Sequence, residues 1–204
     1  MTRRRARRPL RPGKLVELTA MSLDGVVSSP ERWGARYWAG DHEQVTEHLM
    51  GEADALLLGR VTFEDLAGYW PHAGGEVADR MNALPKYVAS RTLTEVGWNA
   101  TLLGDVVAEV AALKQGGAGT LLKYGSGELD RTLVPAGLVD ELHLLVYPVA
   151  VGTDLPGPGP LGGRRLSAAF HRTHFRLADT RRFDSGVLHL TYTPDTPDRP
   201  AEAP

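Results

Sequence analysis

The chain has 204 residues, 42 % of them hydrophobic and 24 % charged, with a formal net charge of -2; these values fit one folded domain and exclude a wholly disordered or collagen-like polypeptide. Cysteine is absent, which excludes disulfides, thiolate metal sites and a cysteine nucleophile. No apolar run reaches the ~18 residues that would span a bilayer, and a cytoplasmic location is expected.

Residues 1–13 carry Arg3, Arg4, Arg5, Arg7, Arg8 and Arg11 without an acid. Such a block reads as a solvated, disordered arm rather than a nucleic-acid interface, because the body behind it is acidic. The ordered body is expected over 14–193, followed by a Pro-rich disordered tail over 194–204. Residues 15–21 read as a strand ending at Asp24-Gly25. Residues 41–51 read as a helix with Val45 and Leu49 on one face. Residues 54–58 form a short continuous apolar run, the pattern of a strand buried on both faces. Gly59-Arg60 then turns the chain into a helix through Leu66, with Thr62 and Asp65 at capping-box spacing.

Strands come next at 86–90 and 100–103, then a helix at 105–115 with Val106, Val110 and Leu113 inward. Another strand is expected at 120–124, and Gly125-Ser126-Gly127 opens a helix over 128–134. Residues 140–147 alternate as a strand, 149–163 form a long Pro/Gly loop, and 175–182 with 186–192 make a terminal hairpin. Alternating strands and helices followed by strands predict an α/β fold with a mainly parallel sheet, an antiparallel edge and helices on both faces. The apolar patterning of 140–147 and of the hairpin also suits pairing across a homodimer.

In such sheets ligands sit beyond the carboxyl ends of the strands. Three turns are expected there: Gly59-Arg60-Val61-Thr62, Ser90-Arg91 and Gly125-Ser126-Gly127. Glycines admit close backbone approach, helix starts offer free N–H groups to anions, and arginine pairs with phosphate. The last turn fits only two glycines of G-x-G-x-x-G, since Asp130 holds the third place. Asp41, His42, Glu43, Glu47 and His48 do not fit H-E-x-x-H and read as a solvated helix face, so no metal is expected. No G-x-S-x-G elbow exists, because Tyr124 breaks it. Trp33, Tyr37, Trp38, Tyr69 and Trp70 read as core and lid packing.

The ordered set T-A-M-S-L-D-G (19–25), L-L-L-G-R-V-T-F-E (56–64), K-Y-V-A-S-R-T-L (86–93), Y-G-S-G-E-L (124–129), G-L-V-D-E-L-H-L (137–144), P-V-A-V-G (148–152) and S-G-V-L-H-L-T-Y (185–192) resembles the dihydrofolate reductase-like superfamily. Within it, the chain is similar to the C-terminal reductase domain of the riboflavin-pathway deaminase-reductase, and no deaminase domain is expected within its 204 residues. The resemblance implies NADPH across the strand ends and hydride transfer to a small heterocyclic substrate. Carried over by position, Gly59, Arg60 and Thr62 would meet phosphates. Ser90 and Arg91 would meet the 2′-phosphate. Tyr124, Gly125, Ser126, Gly127, Glu128 and Leu129 would hold the pyrophosphate and nicotinamide side, with a cis Gly125-Ser126 peptide. Ala20 would border the nicotinamide, 22–26 would form a mobile loop, and Asp41, with Asp24 as its rival, would be the acid. A catalytically silent nucleotide-binding module is the alternative.

Overall fold

The structure, a computed structural model, describes residues 13–117, 119–155 and 163–195. The arginine-rich head up to residue 12, the end of the long loop and the tail beyond Asp195 lie outside the described residues. Eight strands form one sheet: β1 (Lys14–Ser22), β2 (Ala55–Gly59), β3 (Lys86–Ala89), β4 (Ala100–Leu103), β5 (Thr120–Tyr124), β6 (Glu141–Tyr147), β7 (Phe175–Arg182) and β8 (Leu188–Pro194). Their order is β4-β3-β2-β5-β1-β6-β8-β7. The first six run parallel, while β8 is antiparallel to β6 and β7 antiparallel to β8. The α/β sheet with its antiparallel edge is as expected.

The central strands lie inside because they are apolar on both faces. Leu56, Leu57 and Leu58 of β2 are fully buried. Leu56 and Leu58 join Val16, Leu18 and Leu122 beneath α2 (Asp41–Glu52), α3 (Arg60–Tyr69) and α4 (Glu76–Ala83), which contribute Val45, Leu49, Phe63 and Met81. Leu57 joins Leu15 and Leu121 on the other face against Val110 of α5 (Val106–Gln115) and Leu133 of α6 (Asp130–Leu133). One more short helix, α1 (Pro30–Trp33), precedes α2.

Three local expectations are corrected. The Thr62–Asp65 capping box does not form: β2 feeds directly into α3, Gly59 takes the cap position without a side-chain bond, and Thr62 is already helical. The helix after Gly127 begins at Asp130, not Glu128, because the Asp130 carboxylate turns back to accept the Gly127 N–H at 2.7 Å. The Gly125-Ser126 peptide is trans; Gly125 makes the bend instead through φ 73°, open to glycine at little steric cost. Helix α4 was not anticipated. Its C-terminal carbonyls are closed by the buried Lys86 ammonium, which donates to Met81 and Leu84 at 2.7 Å each and to Asn82 at 3.1 Å. Burial pushes Lys86 down to about 8.

Candidate active site at the carboxyl rim

Strands β3, β2 and β5 are consecutive neighbours pointing the same way. The turns that leave their carboxyl ends therefore fall on one rim, spanning about 10 Å at ~4.8 Å per strand. Gly59 is paired with Ala89, and Leu57 with Lys123, which sets Gly59 level with Gly125. The three expected turns are thus side by side. Thr62 Oγ1 lies 4.0 Å from where a side chain at Gly125 would begin, and a side chain at Gly59 would meet open space. Arg91 reaches from the β3 turn to Glu128 at 3.0 Å, and Arg60 pairs with Glu64 at 2.8 Å. Both pairs are exposed, and exposed pairs contribute only about 0–1 kcal/mol. A phosphate, with its larger charge and its geometric match to guanidinium, can take either arginine from its carboxylate.

The residues expected at the site divide by what they already hold. Ser90 Oγ accepts the N–H groups of Thr92 and Leu93, at 3.2 and 2.9 Å, and so shapes the turn that presents Arg91. Ser126 is buried; its hydroxyl donates to Glu17 and lies 2.9 Å from Thr19 Oγ1. The Gly127 N–H is taken by Asp130, while the N–H groups of Ser126, Glu128 and Leu129 have no acceptor among the described residues. Ala20 is half-buried on β1, paired with Leu145. Burial pushes the Tyr124 phenol up, so it stays neutral.

Both candidate acids are committed elsewhere. Asp41 opens α2 at the hairpin side, where it accepts from Arg181 and from the Asp184 N–H at 3.1 Å. Asp24 accepts from Ser22 Oγ at 2.6 Å, from Val151 N–H at 3.0 Å and from Gly152 N–H at 2.8 Å. Arg165 reaches Asp24 as well, through the backbone oxygen and at 3.4 Å through the carboxylate. The loop over 22–26, expected to be mobile, is therefore tied to two other loops, with further backbone bonds from Leu23 to Val149 and from Val27 to Arg164. Burial would push the Asp24 carboxyl up; its donors outweigh that and hold it well below the usual carboxylate range. A carboxylate held low contributes stability above its unfolded pKa near 4 that is lost as pH falls. Asp24→Asn is accordingly expected to lower the melting temperature at pH 7, with the gap to the unmodified chain closing in melts taken at progressively lower pH below 4.

Aromatic groups gather at the end of β6. Trp33 and Tyr37 meet the Tyr147 ring edge-on at 5.4 and 5.7 Å, and Trp38 stacks on His42 at 6.2 Å. Tyr147 is fully buried, so much of this group is packing, as expected, while Trp38 is 39 % exposed and open to a ligand. A cavity of about 320 Å³ lies at the opposite end of the sheet, lined by the strand-start residues Lys14, Thr120 and Glu141 with His143 and His189. It faces away from the three turns. Among the described residues no His/Cys/Asp/Glu group could hold a metal ion, and no helix is long and apolar enough to cross a membrane.

Two features of the rim were missed in the sequence. Arg164 brings its Nη1 within 3.3 Å of where a side chain at Gly127 would begin, adding a third arginine. The signal was the Gly-Gly-Arg-Arg run at 162–165, at the end of the Pro/Gly loop. Behind the glycine turn, Glu17, Lys123 and Asp130 are all but fully buried. Their signal was a charge inside an otherwise apolar strand, at Glu17 and at Lys123.

The chain is similar to known proteins over most of its length. It is 28 % identical over 191 residues to the uncharacterised protein YyaP of Bacillus subtilis, covering 90 % of this chain and 96 % of YyaP. A crystal structure from Shewanella sp. PV-4, provisionally named a riboflavin biosynthesis protein, matches at TM-score 0.67 and 22 % identity, over 90 % of this chain and 99 % of that one. Dihydrofolate reductase from Enterococcus faecalis, complexed with NADP(H), matches at TM-score 0.57 and 15 % identity, over 91 % of this chain and 98 % of that one. These structural likenesses establish a dihydrofolate reductase-like fold. With residues 14–189 matching the family model of the RibD C-terminal domain, the chain belongs to that reductase-type family.

Proposed function

We propose that the chain is an NADPH-dependent reductase acting on a small heterocycle. The observation that carries this reading is the meeting of three turns on one rim, with Arg60, Arg91 and Arg164 around a backbone open at Gly59 and Gly125. The fit to an extended phosphorylated dinucleotide is chemical as well as spatial. Arg91 would take the 2′-phosphate beside the Ser90 turn. Arg60 and the start of α3 would take an internal phosphate. The free N–H groups of Ser126, Glu128 and Leu129, with Arg164, would take the rest of the pyrophosphate.

When bound, the nicotinamide supplies the hydride. The chain's own part is alignment and the exclusion of water. Ala20 and Tyr124 would border the reactive ring, and exposed Leu23 would lie over it. Trp38 offers a flat face for a heterocycle. Neither Asp24 nor Asp41 is free to donate a proton, so the proton would come from solvent or from the substrate's own tautomer.

That same commitment of both acids favours a second reading, a coenzyme-binding module without turnover. One experiment separates them. The chain is melted with NADPH or NADH, and NADPH oxidation is followed at 340 nm with pyrimidine and pterin acceptors. A larger melting shift with NADPH than with NADH, together with oxidation, is the expected result. A shift without oxidation selects the second reading. The absence of any shift at millimolar coenzyme rejects both.

A further inference from the structure

Each residue of the Gly125-Ser126-Gly127 turn is held by a different buried ionisable side chain. Lys123 Nζ donates to the Gly125 carbonyl. The Ser126 hydroxyl donates to Glu17. The Gly127 N–H donates to Asp130 at 2.7 Å. The three anchors are in turn joined, with Lys123 Nζ 2.8 Å from Asp130 Oδ1 and 3.4 Å from Glu17 Oε2. Glu17 and Asp130 are fully buried and Lys123 is 2 % exposed. This is more ionic machinery than a strand-to-helix turn requires, and it stands directly behind the rim.

We propose that Glu17, Lys123 and Asp130 are positioning residues for the glycine turn, and that a proton on the Glu17 carboxyl sets how well the turn receives an anionic coenzyme. The proposal rests on the reading of the rim as a coenzyme site. Two carboxyls against one ammonium leave one negative charge uncompensated unless a carboxyl takes a proton. Glu17 Oε2 and Asp130 Oδ1 are both buried, and beyond the shared Lys123 ammonium neither has a hydrogen-bond partner among the described residues. A proton on Glu17 removes the uncompensated charge and turns its carboxyl into a donor.

The surroundings favour Glu17 as the seat of that proton. Its remaining oxygen accepts from Ser126 and from Thr19 at 3.1 Å. From β5 it faces Lys123, from α6 Asp130 and from β6 the apolar Leu142, its register partner. The nearby Lys114–Asp140 pair on that face is closed on itself beside Leu15. Burial raises Glu17 to about 7, partly opposed by Lys123, and Asp130 adds to the rise. Burial alone would push Lys123 down, but the two carboxylates overcome it and keep the ammonium charged. Glu17 therefore changes charge near neutral pH. Above that point a bare negative charge stands behind the turn and opposes phosphate; below it the cluster is neutral.

The test is a pH series on the full chain with and without NADPH. In the free protein, backbone amide resonances of Gly125, Ser126 and Gly127 are followed by NMR from pH 5.5 to 8.5. They are expected to move with a midpoint near 7, and in Glu17→Gln, which keeps size and hydrogen bonding but cannot ionise, to stay put. With NADPH, Kd is expected to weaken about fivefold more between pH 6 and pH 8 in the unmodified chain than in Glu17→Gln. The coenzyme's own phosphate titration is common to both and cancels. If Glu17→Gln fails to fold, Ser126→Ala cuts the link to the middle of the turn, and the pH-dependent movement at position 126 should fall by at least half. Amides that stay still in the unmodified chain, or move equally in Glu17→Gln, overturn the proposal even if NADPH binds. Failure of NADPH to bind at any pH overturns the coenzyme role for the same triad, while the amide titration still reports whether the triad holds the turn.

Discussion

Lys123→Met is expected to destabilise the fold by about 3–5 kcal/mol, because it strips the cation from two buried carboxyls. Glu17 and Asp130 have no water to turn to, and the Gly125 carbonyl loses its donor as well. For a domain of this size that is a drop of roughly 10 °C in melting temperature. The loss comes from an uncompensated charge rather than from missing contacts, since Met fills much of the lysine stem's volume. Adding Glu17→Gln and Asp130→Asn to Lys123→Met should then recover a substantial part of the lost stability. A melting temperature for the single variant within about 2 °C of the unmodified chain would mean the triad is solvated rather than buried.

Glu128→Gln and Arg91→Ala are expected to change coenzyme binding in opposite directions. Arg91 is 85 % exposed at its side chain and, among the described residues, pairs only with Glu128 at 3.0 Å. Removing that carboxylate leaves the guanidinium free for a phosphate and takes a negative charge off the rim. About threefold tighter NADPH binding should result. Arg91→Ala removes a charge-assisted pair and should weaken NADPH about tenfold, some 1.4 kcal/mol, while leaving NADH nearly unchanged. Calorimetric titration of both variants with both coenzymes checks this. Equal losses for NADPH and NADH in Arg91→Ala would remove Arg91 from the 2′-phosphate.

Much of the fold was legible because its signals are local. The Leu56–Leu58 run could only be an inner strand, and glycines at 59 and 125 marked where strands end. The placement of three turns on one rim was legible too, since parallel neighbours must end on the same side. The features that escaped depend on partners distant in sequence. Asp41 and Asp24 have the residue type of a catalytic acid, yet Arg181 and the N–H groups of Val151 and Gly152 claim them from more than a hundred residues away. Arg164 reaches the glycine turn only because Val27 and Ser28 fix its backbone. Ser126 carries the signature of an exposed phosphate ligand, but its hydroxyl is turned inward by a glutamate on another strand. Helix α4 went unread because its end is closed not by a glycine but by a lysine on the next strand.

In the proposed reading one extended coenzyme lies across the ends of β3, β2 and β5. A crystal structure at saturating NADPH tests it most directly. The expected density shows a 2′-phosphate on Arg91, an internal phosphate between Arg60 and the glycine turn, and a nicotinamide beside Ala20. Coenzyme density seated at the opposite end of the sheet, in the cavity by His143 and His189, or no density at all, would contradict it.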